Sequence, residues 1–292
     1  MTRFDAARRD ALMSDLVRAV RGLPSDLLPF DAVRETLRLK SFVDRGLHEV
    51  PLDQIVGSLG RVQEFNRAFL PREESLRGRW RQVWDLAEGP AGFPPIELFK
   101  VGDAYFVVDG HHRVSVLRSM GAPTVEARVK EYLTPVPLES TETLEQVLLK
   151  QGLAEFLEAT GLAPAHRDDL RVSAAHGYDR LLEHVAVHRY YRSQQESREI
   201  PWPEAVASWR DAVYRPMVEI IRGSGIMKSF PRRTETDLYL FTMDHLHHLR
   251  EQYGDDRIPP ESAVEELRRS VEPEPRLFGR LSEWWRARRR SS

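Results

Sequence analysis

Tyr105-Phe-Val-Val-Asp-Gly-His-His-Arg-Val-Ser-Val-Leu-Arg-Ser-Met-Gly121 reads as a short apolar strand that turns through Asp109 and Gly110 into a helix. The first turn of that helix carries His111, His112 and Arg113. A helix N-terminus presents amide groups without intrahelical partners and the positive end of the peptide dipole. With a guanidinium and two imidazoles added, the turn is an expected anion cradle, and a nucleotide phosphate is the first ligand it points to. Asp109 has three candidate roles: capping the helix, orienting a histidine, or binding a cation held by phosphate.

Outward from the turn, the flanks spell a small α/β unit. Ile96 to Val101 is strand-like, Gly102-Asp103 predicts a tight hairpin, and the helix after Gly110 should stop at Gly121 and Pro123. From Thr124 to Tyr132 the alternation of Val125, Ala127 and Val129 predicts another strand. Upstream, Pro51-Leu-Asp-Gln-Ile55 reads as an extended segment with a helical turn, and glycines 57 and 60 interrupt regularity. Arg61 to Phe69 fits a helix with Val62, Phe65 and Phe69 on one face, and Leu76 to Ala87 a second with Trp80, Val83 and Trp84. Gly89-Pro-Ala-Gly-Phe-Pro-Pro95 marks a boundary. At the start of the chain, Leu12, Leu16, Ala19 and Val20 form an apolar stripe expected to pack inward, and Asp31 is placed to cap a helix reaching Leu39.

After Pro135 and Pro137 the pattern is helical: Leu144 to Leu157, Tyr178 to Tyr191, a run from Pro203 that Pro216 would bend, a helix from Thr234 or Glu235 to Tyr253, and helices after Ser262 and near Leu281. Trp209 and Tyr239 sit on helix-spaced packing stripes. The chain should therefore divide into a helical extension (1–45), a nucleotide-binding unit (46–134), and a helical domain with a basic tail (135–292).

Composition limits the chemistry. The 292 residues hold 43 basic and 45 acidic side chains, a formal charge of -2, which gives no global field for nucleic acid. With no cysteine, thiolate catalysis, disulfides and thiolate zinc sites are excluded. His184/His188 and His245/His248 have helical spacing but lack the His-Glu-x-x-His pattern, so packing is favoured over metal. No apolar run reaches membrane-spanning length. The chain reads as soluble and cytoplasmic.

The segments Pro95-Ile-Glu-Leu-Phe and Tyr105-Phe-Val-Val-Asp-Gly-His-His-Arg113, with the helix to Gly121 and the strand after Thr124, together resemble the ParB/sulfiredoxin fold. In motif they are nearest the ADP-dependent free-serine kinase group, which carries the same Asp-Gly-His-His-Arg pattern. The match spans about Glu49 to Tyr132. The resemblance implies an α+β protein with a small mixed sheet and flanking helices, followed by a mostly helical C-terminal domain. It also implies phosphate contacts from Gly110, His111, His112 and Arg113, with Asp109 or a histidine assisting proton transfer or holding Mg²⁺. Glu64 is the candidate for the kinase group's upstream glutamate, and Arg61 is a candidate phosphate ligand.

His111 stands where sulfiredoxin has its cysteine, which removes that activity. The ParB-type Gly-Glu-Arg-Arg turn keeps here only its glycine and last arginine. In the second half, Lys228, Arg232 and Arg233 precede an expected cap at Thr234, with Asp237 completing a capping-box variant, and are candidates for a polyanion contact. The expected function is binding of ATP, ADP or CTP with Mg²⁺. Its expected chemistry is phosphotransfer to a small hydroxyl-bearing substrate or nucleotide hydrolysis. The alternative is a nucleotide-responsive DNA-binding regulator acting across a homodimer, to which Trp284, Trp285 and the Arg286 to Arg290 tail would contribute.

Overall fold

The computed structural model describes residues 2–90, 93–163, 168–254 and 258–271. The chain forms two compact units, Met1–Gln151 and Gly152–Ser292.

The first unit is built on a six-stranded mixed sheet. Its strands are β1 (Leu28–Pro29), β2 (Phe42–Pro51), β3 (Ile55–Ser58), β4 (Ile96–Val101), β5 (Ala104–Asp109) and β6 (Thr124–Tyr132), in the order β1-β3-β5-β4-β6-β2. The pairs β1/β3, β3/β5 and β4/β6 run parallel, while β4/β5 and β2/β6 run antiparallel. As the sequence indicated, β4 and β5 are joined by the two-residue turn Gly102-Asp103, with Val101 opposite Ala104. The sheet draws β1 and the first residues of β2 from the segment read as a helical extension. β2 is a mostly exposed edge strand rich in charged residues, a pattern that discourages pairing with another sheet.

Period-two alternation gives the sheet two apolar faces. Ile96, Leu98, Val107, Val125, Ala127 and Val129 point into the main core. There they meet Phe4 and Ala7 of α1 (Arg3–Val20), Trp80 and Val83 of α3 (Arg77–Ala87), and Val114 and Val116 of α4 (His111–Ser119). On the other face Phe30, the first residue of α2 (Phe30–Thr36), packs among Phe99, Phe106 and Tyr132 with ring centroids 4.6 to 5.4 Å away. Trp80 ties α3 to α4 by donating its indole N–H to Ser115 Oγ at 3.0 Å.

Three expectations for this unit are corrected. The α1 stripe of Leu12, Leu16 and Val20 faces outward, because Phe4, Ala7 and Ala11 on the opposite side fill the core. Asp31 lies inside the first turn of α2, whose N-cap is Pro29, and the helix ends at Thr36. Residues 61–69 form turns and isolated bridges rather than a helix. Asn66, fully buried, decides this last case: its Oδ1 accepts the amides of Ala68 and Leu70, and its Nδ2 donates to Ala11 O and Asp15 Oδ1. Such side-chain bonds replace helical ones and turn the chain so that both Phe65 and Phe69 are buried, the latter at φ 57°.

The second unit follows from α5 (Leu144–Thr160), which crosses from the first. It contains α6 (His176–Glu196), α7 (Trp202–Trp209), α8 (Arg215–Ser224), α9 (Glu235–Tyr253) and α10 (Pro260–Val271). The run expected as one helix bent at Pro216 is α7 and α8 joined by a π-helical turn, Arg210–Tyr214. Proline supplies no N–H to the preceding turn, and a wider turn there absorbs the missing bond. Thr234 and Asp237 make the expected reciprocal cap of α9, at 3.1 and 2.8 Å. Trp209 and Tyr239 are buried, and Tyr239 Oη accepts from the Trp209 indole at 3.0 Å. The expected helix near Leu281, Trp284, Trp285 and the arginine tail lie outside the described residues.

Candidate functional site

A cleft of about 640 Å³ opens in the first unit at the junction of β5 and α4. Seven of the residues singled out from the sequence line it together: Arg61, Glu64, Asp109, Gly110, His111, His112 and Arg113. Glu73, Ser75 and Arg79 complete its polar wall.

The strand-to-helix turn depends on Gly110. It is the N-cap of α4 at φ 101° and ψ 19°, a left-handed conformation that costs glycine least. A Cβ there would lie 2.5 Å from Ile96 Cγ2, so the space is closed as well. No side chain caps this helix. The first backbone bond runs from the Val114 amide to Gly110 O at 3.0 Å, and no acceptor among the described residues takes the amides of His111, His112 and Arg113.

Arg113 is committed to the protein itself. Its Nη1 donates to the carbonyls of Pro94 and Pro95 at 2.7 and 3.0 Å, and its Nη2 to Asp109 Oδ2 at 2.5 Å. Its side chain is 15% exposed. The guanidinium thus pins the Pro94-Pro95 entry to β4 against the turn. Asp109, one residue before the N-cap, serves as the partner of Arg113 rather than as the cap.

The two imidazoles do not add positive charge to the turn. Burial, reinforced by the nearby Arg61 charge, pushes His111 down to about 4, and burial with Arg61 and Arg79 does the same to His112, also to about 4. Both are neutral at pH 7. His111 is buried, with Nε2 2.7 Å from Ser58 Oγ at the end of β3. The same hydroxyl accepts the Arg61 amide at 3.3 Å, which leaves its proton free to point at the imidazole. His112 stands edge-on to Phe65 at 5.6 Å, and its Nδ1 is buried without a hydrogen-bond partner among the described residues.

The positive charge of the cleft comes instead from Arg61 and Arg79. Arg61 shares its charge with Glu64 at 3.1 Å. Arg79 is exposed on the first turn of α3 and makes no ion pair or hydrogen bond with any described residue. The carboxylates of the wall are each engaged: Glu64 by Arg61, Asp109 by Arg113, and Glu73 by the Ser75 hydroxyl at 3.0 Å. What remains unsatisfied is therefore chiefly a set of donors, three amides and one guanidinium, together with the ring nitrogen Nδ1 of His112.

Arg79, Ser58, Glu73 and Ser75 were missed in the sequence. Arg79 is adjacent to Trp80 on an amphipathic helix, a pattern that marks it as flanking a buried face but cannot tell that this face packs on α4. Gly57, one of the two glycines that interrupt regularity before Arg61, lets the backbone approach Phe106, since a Cβ would fall 2.1 Å from its ring. Lys228, Arg232 and Arg233 belong to the second unit; Arg233 donates to Ser173 Oγ at 2.9 Å and lies over Phe241, while Lys228 and Arg232 are exposed. His184 bonds Tyr239 Oη and His188 bonds Ser208 Oγ, at 3.0 and 2.9 Å, so both are tied into packing. No group of three or more metal-ligating side chains occurs among the described residues. No described helix is long and apolar enough to cross a membrane.

The class defined here is an α+β protein with a mixed sheet, flanking helices, a polar cleft at a strand-to-helix turn, and a helical second unit. Among solved structures it is similar to sulfiredoxin from Arabidopsis thaliana, at 18% identity over 29% of this chain and 84% of that one, with a TM-score of 0.23. No family model and no curated protein matches the chain.

Proposed function

We propose that the cleft binds the phosphates of a nucleotide, and that the protein is a phosphotransferase for a small hydroxyl-bearing substrate or a nucleotide hydrolase. The observation that carries this reading is the surplus of donors: the open amides of His111, His112 and Arg113 face the same cleft as Arg61 and the unpaired Arg79. Aligned amides at a helix N-terminus with arginine beside them are suited to phosphate oxygens. A volume of about 640 Å³ accommodates a ligand of nucleotide size.

Within this reading each group has a task. The α4 amides and Arg79 hold phosphate oxygens and take up charge as a phosphoryl group transfers. Neutral His111, with its Nε2 turned to Ser58, presents Nδ1–H as a donor, and His112 is a second neutral donor or acceptor. Glu64 is the carboxylate available to orient an acceptor hydroxyl or a water, once Arg61 swings toward the ligand. Arg113 and Asp109 hold the turn. Mg²⁺ would be carried chiefly by the phosphates, with the second oxygen of Asp109 as its protein ligand, since magnesium sites commonly combine one or two carboxylates with substrate phosphates.

Calorimetric titration with ADP, ATP and CTP, with and without Mg²⁺, tests the proposal. Saturable binding by at least one, weakened in Arg79→Ala, is expected. Absence of binding by all three across a range of salt would overturn it. A turnover assay with free serine as acceptor then separates transfer from hydrolysis.

A further inference from the structure

The outward face of α1 has no partner among the described residues. Leu12 is 72% exposed, Met13 55%, Leu16 59%, Val17 42% and Val20 82%, and Leu23 just beyond the helix adds 48%. At about 100° per residue these helical side chains share one arc opposite Phe4, Ala7 and Ala11. A continuous apolar stripe of this kind on a helix that already fills the core with its other side marks an association surface.

We infer that this surface pairs with a second copy of itself, α1 packing antiparallel on α1 about a two-fold axis near Leu16. The charges flanking the stripe select this occupant. Asp10 and Arg21 lie on the same flank, about 20° apart around the axis and roughly 16 Å apart along it. A two-fold axis between residues 15 and 16 carries each Asp10 to the Arg21 of the other copy, giving two ion pairs on one side of the contact. On the other side it sets Leu12 against the small Ala19, and it brings the two Leu16 side chains together at the centre. A parallel two-fold arrangement would instead carry the flank holding Asp10 and Arg21 to opposite sides of the contact in the two copies, and neither ion pair could form. Arg21 makes no ion pair with any described residue, and Asp10 has only its neighbour Arg9, at 3.5 Å. The surface is therefore self-complementary in shape and charge, as an isologous interface requires. One helix pair is a small contact, of the class found in weak and transient interfaces.

Sedimentation equilibrium of the full chain from about 1 to 200 μM is the test. A monomer–dimer equilibrium is expected. Leu16→Glu, at an exposed position, should weaken it at least tenfold with an unchanged circular dichroism spectrum. Asp10→Arg alone should also weaken it, and the double change Asp10→Arg with Arg21→Glu should restore it. The chain lacks cysteine, so Leu16→Cys should form a single disulfide-linked dimer under mild oxidation. A monomer throughout the range, a dimer indifferent to Leu16→Glu, or failure of the charge swap to restore pairing would overturn the inference.

Discussion

Two of the three arginines lining the cleft, Arg113 and Arg79, divide the work that a single sequence motif assigned to Arg113. Arg113 makes three hydrogen bonds within the protein, whereas Arg79 makes none with the described residues. Replacing Arg113 by alanine should lower stability by about 1–3 kcal/mol in urea unfolding, because two carbonyls and a carboxylate lose their donor. Arg79→Ala should leave stability within about 0.5 kcal/mol and weaken the proposed nucleotide binding roughly tenfold in calorimetry. His111 supplies a pH signature. Its folded value near 4 lies below the ordinary 6.5, so between these values the unfolded chain binds the proton and the fold does not. Stability should be flat above about pH 6.5 and fall as pH drops toward 4, by an amount on the order of 1–3 kcal/mol for this residue. The more exposed His112 contributes less in the same direction. Urea unfolding across this pH range will show the slope, and His111→Asn should reduce it.

Elements are positioned by a few buried polar contacts as much as by apolar area. The loop that carries Arg61 and Glu64 is held by Asn66, whose amide group reaches α1 on one side and its own loop backbone on the other. Removing it takes a partner from two amides, a carbonyl and the Asp15 carboxylate. Asn66→Ala should therefore cost about 2–4 kcal/mol in urea unfolding and loosen the cleft wall. Tightened hydrogen-exchange protection of residues 61–70 in the wild-type chain relative to the variant would be the local readout. On the opposite wall, the Trp80 to Ser115 bond fixes α3 on α4, and so sets how far Arg79 stands from the open amides.

In the whole molecule, every residue lining the cleft belongs to the first compact unit. A fragment ending after α5, residues 1–161, retains the sheet, the turn and all three cleft arginines. It should unfold cooperatively and bind nucleotide within about threefold of the full chain; loss of binding with folding intact would assign the second unit a direct part in recognition. The near-neutral charge, with 43 basic against 45 acidic residues, is consistent with recognition by local donors rather than by a long-range field.

The sequence by itself determined the elements around the turn. Alternation located β4, β5 and β6, glycine and proline ended α4, and Thr234 with Asp237 opened α9, because these signals are local in the backbone. It also named the turn and seven residues that share the cleft. Only the tertiary structure decided which side of α1 is buried, since both of its faces are apolar and the core takes Phe4, Ala7 and Ala11. Long-range contacts likewise decided that Asn66 breaks a helix-like pattern, that burial keeps both histidines neutral, and that Arg113 is occupied while Arg79 is free to meet a ligand. The charge state of an imidazole and the partners of a guanidinium depend on groups distant in the chain, and a motif does not contain them.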